Sequence, residues 1–138
     1  MLVLDHERLD VYRLARELSR EVGRLMKKAR YTQERPDMVD QVNRATASIP
    51  LNLAEGTGET SVGRRAYFYR VARSSATELS AALDHMVDLE MLAEDDVAAA
   101  KALILRIVSM LYKLVGSVNK PDTFRRTRVG RPFRSRRR

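Results

Sequence analysis

The sequence predicts an all-α protein of four helices, and three observations carry that prediction. First, the 138 residues include only six glycines, four prolines and 6% aromatics, which argues against a chain of strands and turns. Abundant Ala, Leu, Arg and Glu suit helices instead. Second, four segments space their apolar residues three and four apart, the repeat of one helical face. Third, residues that start or stop helices separate those segments.

The first segment is expected from about Asp5 to Ala29. Val11, Leu14, Ala15, Leu18, Val22, Leu25 and Met26 form its apolar stripe, and Arg13, Arg16, Arg20, Arg24 and Lys27 form the opposite face. Asp5 is placed to cap it, its carboxylate accepting an orphan amide. Pro36-Asp37 marks the next start. The second segment, about Asp37 to Glu55, carries an apolar stripe of Met38, Val42, Ala45, Ile49 and Leu53. Beside it runs a polar stripe of Gln41, Arg44, Ser48, Asn52 and Glu55. Pro50 lies inside this segment, where it removes a backbone donor and crowds the preceding turn at ~3 kcal/mol. Gly56 and Gly58 are expected to end the helix through the left-handed conformation that glycine tolerates.

Thr60 or Ser61 can cap the third segment, about 62–91, whose expected face is Phe68, Val71, Ser75, Leu79, Ala82, Met86 and Leu89. Glu94-Asp95-Asp96 suits the N-terminal end of a fourth helix over about 95–118, where the macrodipole favours negative charge. Val97, Ala100, Ile104, Ile107, Leu111, Leu114 and Val118 form its main stripe, extended by Leu103 and Met110. Leu105, Val108, Tyr112 and Val115 form a second one. That is more apolar surface than one core needs. Self-association through the second stripe is one explanation, and an unusually buried central helix is the other.

The length fits one domain, residues 1–119, with a core of its own. Residues 120–138 are a separate arginine-rich tail without periodicity, expected to be disordered when free. The net charge is +8, and residues 120–138, with nine basic side chains and one acid, hold all of it. The body is neutral but polarised: residues 13–30 carry seven basic and two acidic side chains, residues 84–96 six acidic and no basic. The absence of cysteine excludes disulfides and thiolate metal sites and fits a cytoplasmic protein. No signal peptide or membrane span is expected.

Little here points to catalysis, and neither an enzymatic activity nor a cofactor or metal is expected. His6 and His85 lack partners at metal-ligand spacing, Gly58–Arg65 lacks the Lys-Ser/Thr ending of a phosphate loop, and Ser48, Ser74 and Ser75 have no evident base. The polar stripe is the remaining cluster. Glu78 is a partner for Arg44, with Ser75 one turn earlier, and Glu55 and Asn52 can engage Arg73 or backbone groups freed by Pro50. Such a network fixes helix register when its charges are paired, or it lines a pocket for a ligand or RNA.

The tail is the strongest nucleic-acid signal. Arg125, Arg126, Arg128, Arg131, Arg134, Arg136, Arg137 and Arg138 can neutralise phosphates, and Phe124 and Phe133 can stack on bases. A solubilising tail or a contact with an acidic protein are the alternatives. The basic face of the first helix can likewise track phosphates, or it is a solvated face in which Glu17 and Glu21 pair with Arg20 and Arg24. The acidic end of the hairpin formed by the third and fourth helices can instead meet that face in a neighbouring subunit.

Three motifs carry a family resemblance: Leu9-Asp-Val-Tyr, then Gln41-x-x-Arg44-Ala-x-x-Ser48-Ile-Pro-x-Asn52-x-Ala-Glu-Gly56, then Phe68-Tyr-Arg-Val-Ala-Arg-Ser-Ser75-x-x-Glu78-Leu. Over about residues 4–119 the chain resembles the bacterial four-helix-bundle proteins known from intervening sequences of 23S ribosomal RNA genes. The resemblance implies an antiparallel up-and-down bundle that assembles as a homopentamer, with no enzymatic activity. It also implies kinship with the accessory variability protein of diversity-generating retroelements, which binds reverse transcriptase and nucleic acid. Arg44, Ser48, Asn52, Glu55, Ser75 and Glu78 fall on the family's signature positions. Ser74 departs from the family's more frequent glycine, and the arginine-rich extension lies outside the shared region. The expected function is therefore a homo-oligomer that binds nucleic acid, RNA before DNA. The alternative is an oligomeric adaptor for a protein such as a reverse transcriptase. A membrane partner is not expected.

Overall fold

A computed structural model describes residues 3–119. A short 3-10 helix, Asp5–Arg8, leads into α1 (Asp10–Lys28), α2 (Pro36–Gly58), α3 (Val62–Asp88) and α4 (Glu94–Asn119). The helices pack as an up-and-down bundle in which α1 touches α2 and α4, and α3 touches the same two. No strand occurs among the described residues.

Several ends differ from the sequence expectation. Asp5 does not cap α1. The chain first makes a 3-10 turn, in which the Leu4 amide donates to the Glu7 carboxylate, and then extends through Leu9 before the helix begins. The extended Leu9 packs against the core, which a continuous helix from Asp5 would not allow at that position. Pro36 starts α2 as expected, its missing N–H falling where no intrahelical acceptor exists. α2 then continues through Pro50 and Gly56 and ends at Gly58, and no glycine among the described residues has a positive φ. The left-handed backbone occurs instead at Tyr31 and Glu90, in the turns after α1 and α3. Ser61 caps α3 through the Arg64 amide.

The core is one continuous cluster of Leu, Val, Ile, Met and Ala from all four helices. Ser75, Leu79, Ala82 and Met86 of α3 are buried as expected, but the buried face is wider and shifted at its start. Tyr69, Ala72, Ala76 and Leu83 are buried, while Phe68 and Val71 are only half-buried. Alanines at 72, 76 and 82 let α2 and α4 each approach α3, a packing that a search for large apolar residues overlooks. Two turns meet at one end of the bundle, where the Arg30 amide donates to the Met91 carbonyl at 2.9 Å. The α2–α3 turn and the end of α4 lie at the opposite end.

Candidate nucleic-acid interface and polar seam

The polar stripe of α2 faces α3 only in part. Ser48 and Asn52 are half-buried, and Ser48 meets the buried Ser75 of α3. The Ser48 and Ser75 hydroxyls lie 2.7 Å apart, and Asn52 Nδ2 donates to Ser48 Oγ at 2.9 Å and to the Ser48 carbonyl at 2.8 Å. Every buried side-chain nitrogen or oxygen among the described residues has a partner. The charged members stay outside. Arg44, Glu55 and Glu78 are exposed, and no ion pair joins Arg44 to Glu78. Leaving charges in water avoids the desolvation cost that a buried pair would incur. Arg73 does not reach Glu55 or Asn52 either. It leaves α3 on the side of α4, where its guanidinium sits 4.0 Å from the centre of the Tyr112 ring.

Of the second stripe on α4, Leu105 and Tyr112 are 68% and 63% exposed, and Val108 is half-buried. Val115 belongs to the core of the single chain, because it lies on the same face as Leu111 one turn earlier. Leu105 and Val108 open onto a groove of about 470 Å³ between α3 and α4, shared with Thr77, Ser80 and Lys101.

Arg13, Arg16, Arg20, Arg24 and Lys27 are all exposed along α1. Arg24 pairs with Glu21, which raises the guanidinium's already high pKa, and Arg13 lies 3.7 Å from Asp10. Arg16, Arg20 and Lys27 make no ion pair among the described residues. The acidic hairpin end does meet α1, but within one chain: Lys28 pairs with Asp96. That hydrogen bond, helped by the Ala93 amide, holds the Asp96 carboxyl below the usual carboxylate range.

The opposite end of the bundle has a different character. Residues 64–73 contain four arginines, three aromatics and no acid. Arg64, Tyr67, Arg70 and Arg73 recur every third residue, so they form a ridge that crosses α3 obliquely. Tyr67 is 59% exposed and Arg70 is exposed with no ion pair among the described residues. Arg64 is anchored by Glu59 at 3.3 Å and lies over the Phe68 ring. The ridge was not among the sequence expectations, although its signal, arginines interleaved with aromatics at a fixed spacing, stands in the sequence.

The family model described as 23S rRNA-intervening sequence protein matches residues 7–113. The chain belongs to this family. The match runs from the 3-10 turn through most of α4, so the family's shared region is the bundle itself. Both the Ser48–Asn52–Ser75 seam and the α3 ridge lie within it. No functionally curated protein matches the chain. The tail arginines at 125, 126, 128, 131, 134, 136, 137 and 138 lie outside both the match and the described residues. No helix among the described residues is long and apolar enough to cross a membrane, and none of their His, Asp and Glu side chains form a group able to hold a metal.

Proposed function

We propose that this member of the 23S rRNA-intervening sequence family is a cytoplasmic, non-enzymatic homo-oligomer, a pentamer, that binds RNA in preference to DNA. The observation that carries the reading is the placement of charge. A neutral bundle is followed by a segment, 120–138, that holds the entire +8. That segment and the exposed cations of α1 contact phosphates. Five tails on one ring act together, and multivalency of this kind raises affinity ~10²–10⁴-fold without a new contact. Self-association through Leu105, Val108 and Tyr112 supplies the ring and covers their exposed surface.

The test is binding of RNA oligonucleotides by the full chain and by a chain ending at residue 120, across a salt series. A tail that neutralises several phosphates makes affinity fall steeply with salt, and its removal abolishes most of the binding. Salt-independent binding, or undiminished binding by the shortened chain, overturns the reading. A second reading is favoured by the apolar α3–α4 groove: an oligomeric adaptor that docks a protein such as a reverse transcriptase there. A protein partner retained after nuclease treatment, and lost on Leu105→Glu, selects it.

A further inference from the structure

We infer that the Arg64–Tyr67–Arg70–Arg73 ridge of α3 is a binding site for single-stranded RNA on the folded body, with one base stacking on Tyr67. The inference rests on the RNA reading above and adds a place and a mode to it.

The ridge has the two parts that single-strand binding needs, cations for phosphates and an exposed aromatic face for bases. Consecutive members are three residues apart, about 4.5 Å of helical rise. Tyr67 is therefore bracketed by Arg64 one turn before and Arg70 one turn after. The three are held differently. Tyr67 packs against Phe68 in a T-shaped pair, with ring centroids 5.3 Å apart and planes at 69°, and still exposes most of its surface. Arg64 is preset by Glu59 and the Phe68 ring. Arg70, exposed and without an ion pair among the described residues, is the charge that a phosphate can neutralise. No acid occurs in residues 64–73 to repel the strand.

A duplex hides its base faces, so a stacking residue favours single strands. Ser74 is exposed one turn beyond Arg70, and its hydroxyl can bond the 2′-OH that distinguishes RNA from DNA. Because α4 runs antiparallel to α3, Asn119 lies at the same end of the bundle as the start of α3. A strand held by residues 120–138 can therefore continue onto the ridge. The solvated-face alternative accounts for Arg70 but not for a tyrosine that exposes 59% of its surface in the middle of the row.

The experiment uses the full-length protein and a short unstructured RNA, read by anisotropy and by tyrosine emission, which is a clean signal because the chain has five tyrosines and no tryptophan. Tyr67→Ala is expected to weaken single-stranded RNA binding about 5- to 100-fold and leave the salt slope unchanged. Tyr67→Phe restores the affinity, since the ring and not the hydroxyl stacks. Arg70→Gln lowers the slope of log affinity against log salt by about 0.7. RNA duplex binding is unaffected by Tyr67→Ala. Wild-type binding with unchanged affinity in both Tyr67→Ala and Arg70→Gln overturns the ridge and leaves the tail reading standing. Equal affinity for single-stranded DNA of the same sequence overturns the RNA assignment. No RNA binding by the wild-type chain overturns both readings.

Discussion

At Gly56 a hydrogen stands where any other residue would place a carbon 2.7 Å from Tyr69 Cε1 and 2.9 Å from Cδ1. The Tyr69 ring cannot swing away freely. It is 3% exposed, and its hydroxyl lies 3.0 Å from the Thr57 hydroxyl, one residue beyond the glycine. Gly56 is thus needed for close approach of α2 to α3 rather than for a left-handed cap. Gly56→Ala gains up to ~1 kcal/mol in helix propensity but overpacks the contact at ~1–3 kcal/mol. The expected net effect is a loss of about 1 kcal/mol, read as a lower urea midpoint. Gly23, inside α1 with open space around it, provides the contrast: Gly23→Ala should raise stability by ~0.5–1 kcal/mol. The glycine in the second motif is legible in sequence, but a helix cap and a close contact between helices both call for the same letter. Only the neighbouring ring tells them apart.

At the level of elements, the ends of α1 and α4 are tied by Lys28 and Asp96, two residues 68 positions apart. Asp96 also accepts from the Ala93 amide at 2.9 Å, so one carboxylate closes the start of α4 and fastens it to α1. Its pKa is lowered chiefly by the Lys28 hydrogen bond. A carboxyl with a depressed folded-state pKa contributes stability above its unfolded value and loses that contribution as pH falls through the folded value. Acidification below the usual carboxylate range should therefore weaken the bundle, and Asp96→Asn should flatten that part of the stability profile. Thermal melts at neutral and acid pH check this, and an identical acid slope in the variant would count against it. The acidic first turn of α4 was legible in sequence from Glu94-Asp95-Asp96. Which of the three would find a cation was not, because Lys28 is brought there only by the antiparallel packing of α1 on α4.

For the whole molecule, the surplus apolar surface of α4 divides into two parts. Val115 is absorbed by the chain's own core, whereas Leu105 and Tyr112 remain outside with Val108 between them. Self-association through that remainder predicts that Leu105→Glu reduces the mass of the assembly without unfolding the protomer. Native mass measurement and circular dichroism together test it: an unchanged oligomer mass would remove Leu105 from the interface. Tyr112→Ala also removes the ring on which Arg73 rests, so its effect on the protomer should be the larger of the two.

The sequence by itself determined the four helices, because a 3.6-residue apolar repeat leaves few other folds, and it located the whole +8 in residues 120–138. It also marked Ser48, Asn52 and Ser75 as a polar group. The tertiary structure decided which of their neighbours joined them. The rotation of a helix about its own axis is too fine for a stripe of letters to specify. It turned Tyr69 and Ala76 inward and left Phe68 half-buried. The packing of α2, α3 and α4 left Arg44, Glu55 and Glu78 in water and placed Arg73 beside Tyr112. An arginine row thus came to cross the outer face of α3, where it can meet a partner. Periodicity sets which elements form, but packing of small alanines and one close glycine sets the angle at which they meet, and that angle decides which side chains are free to bind.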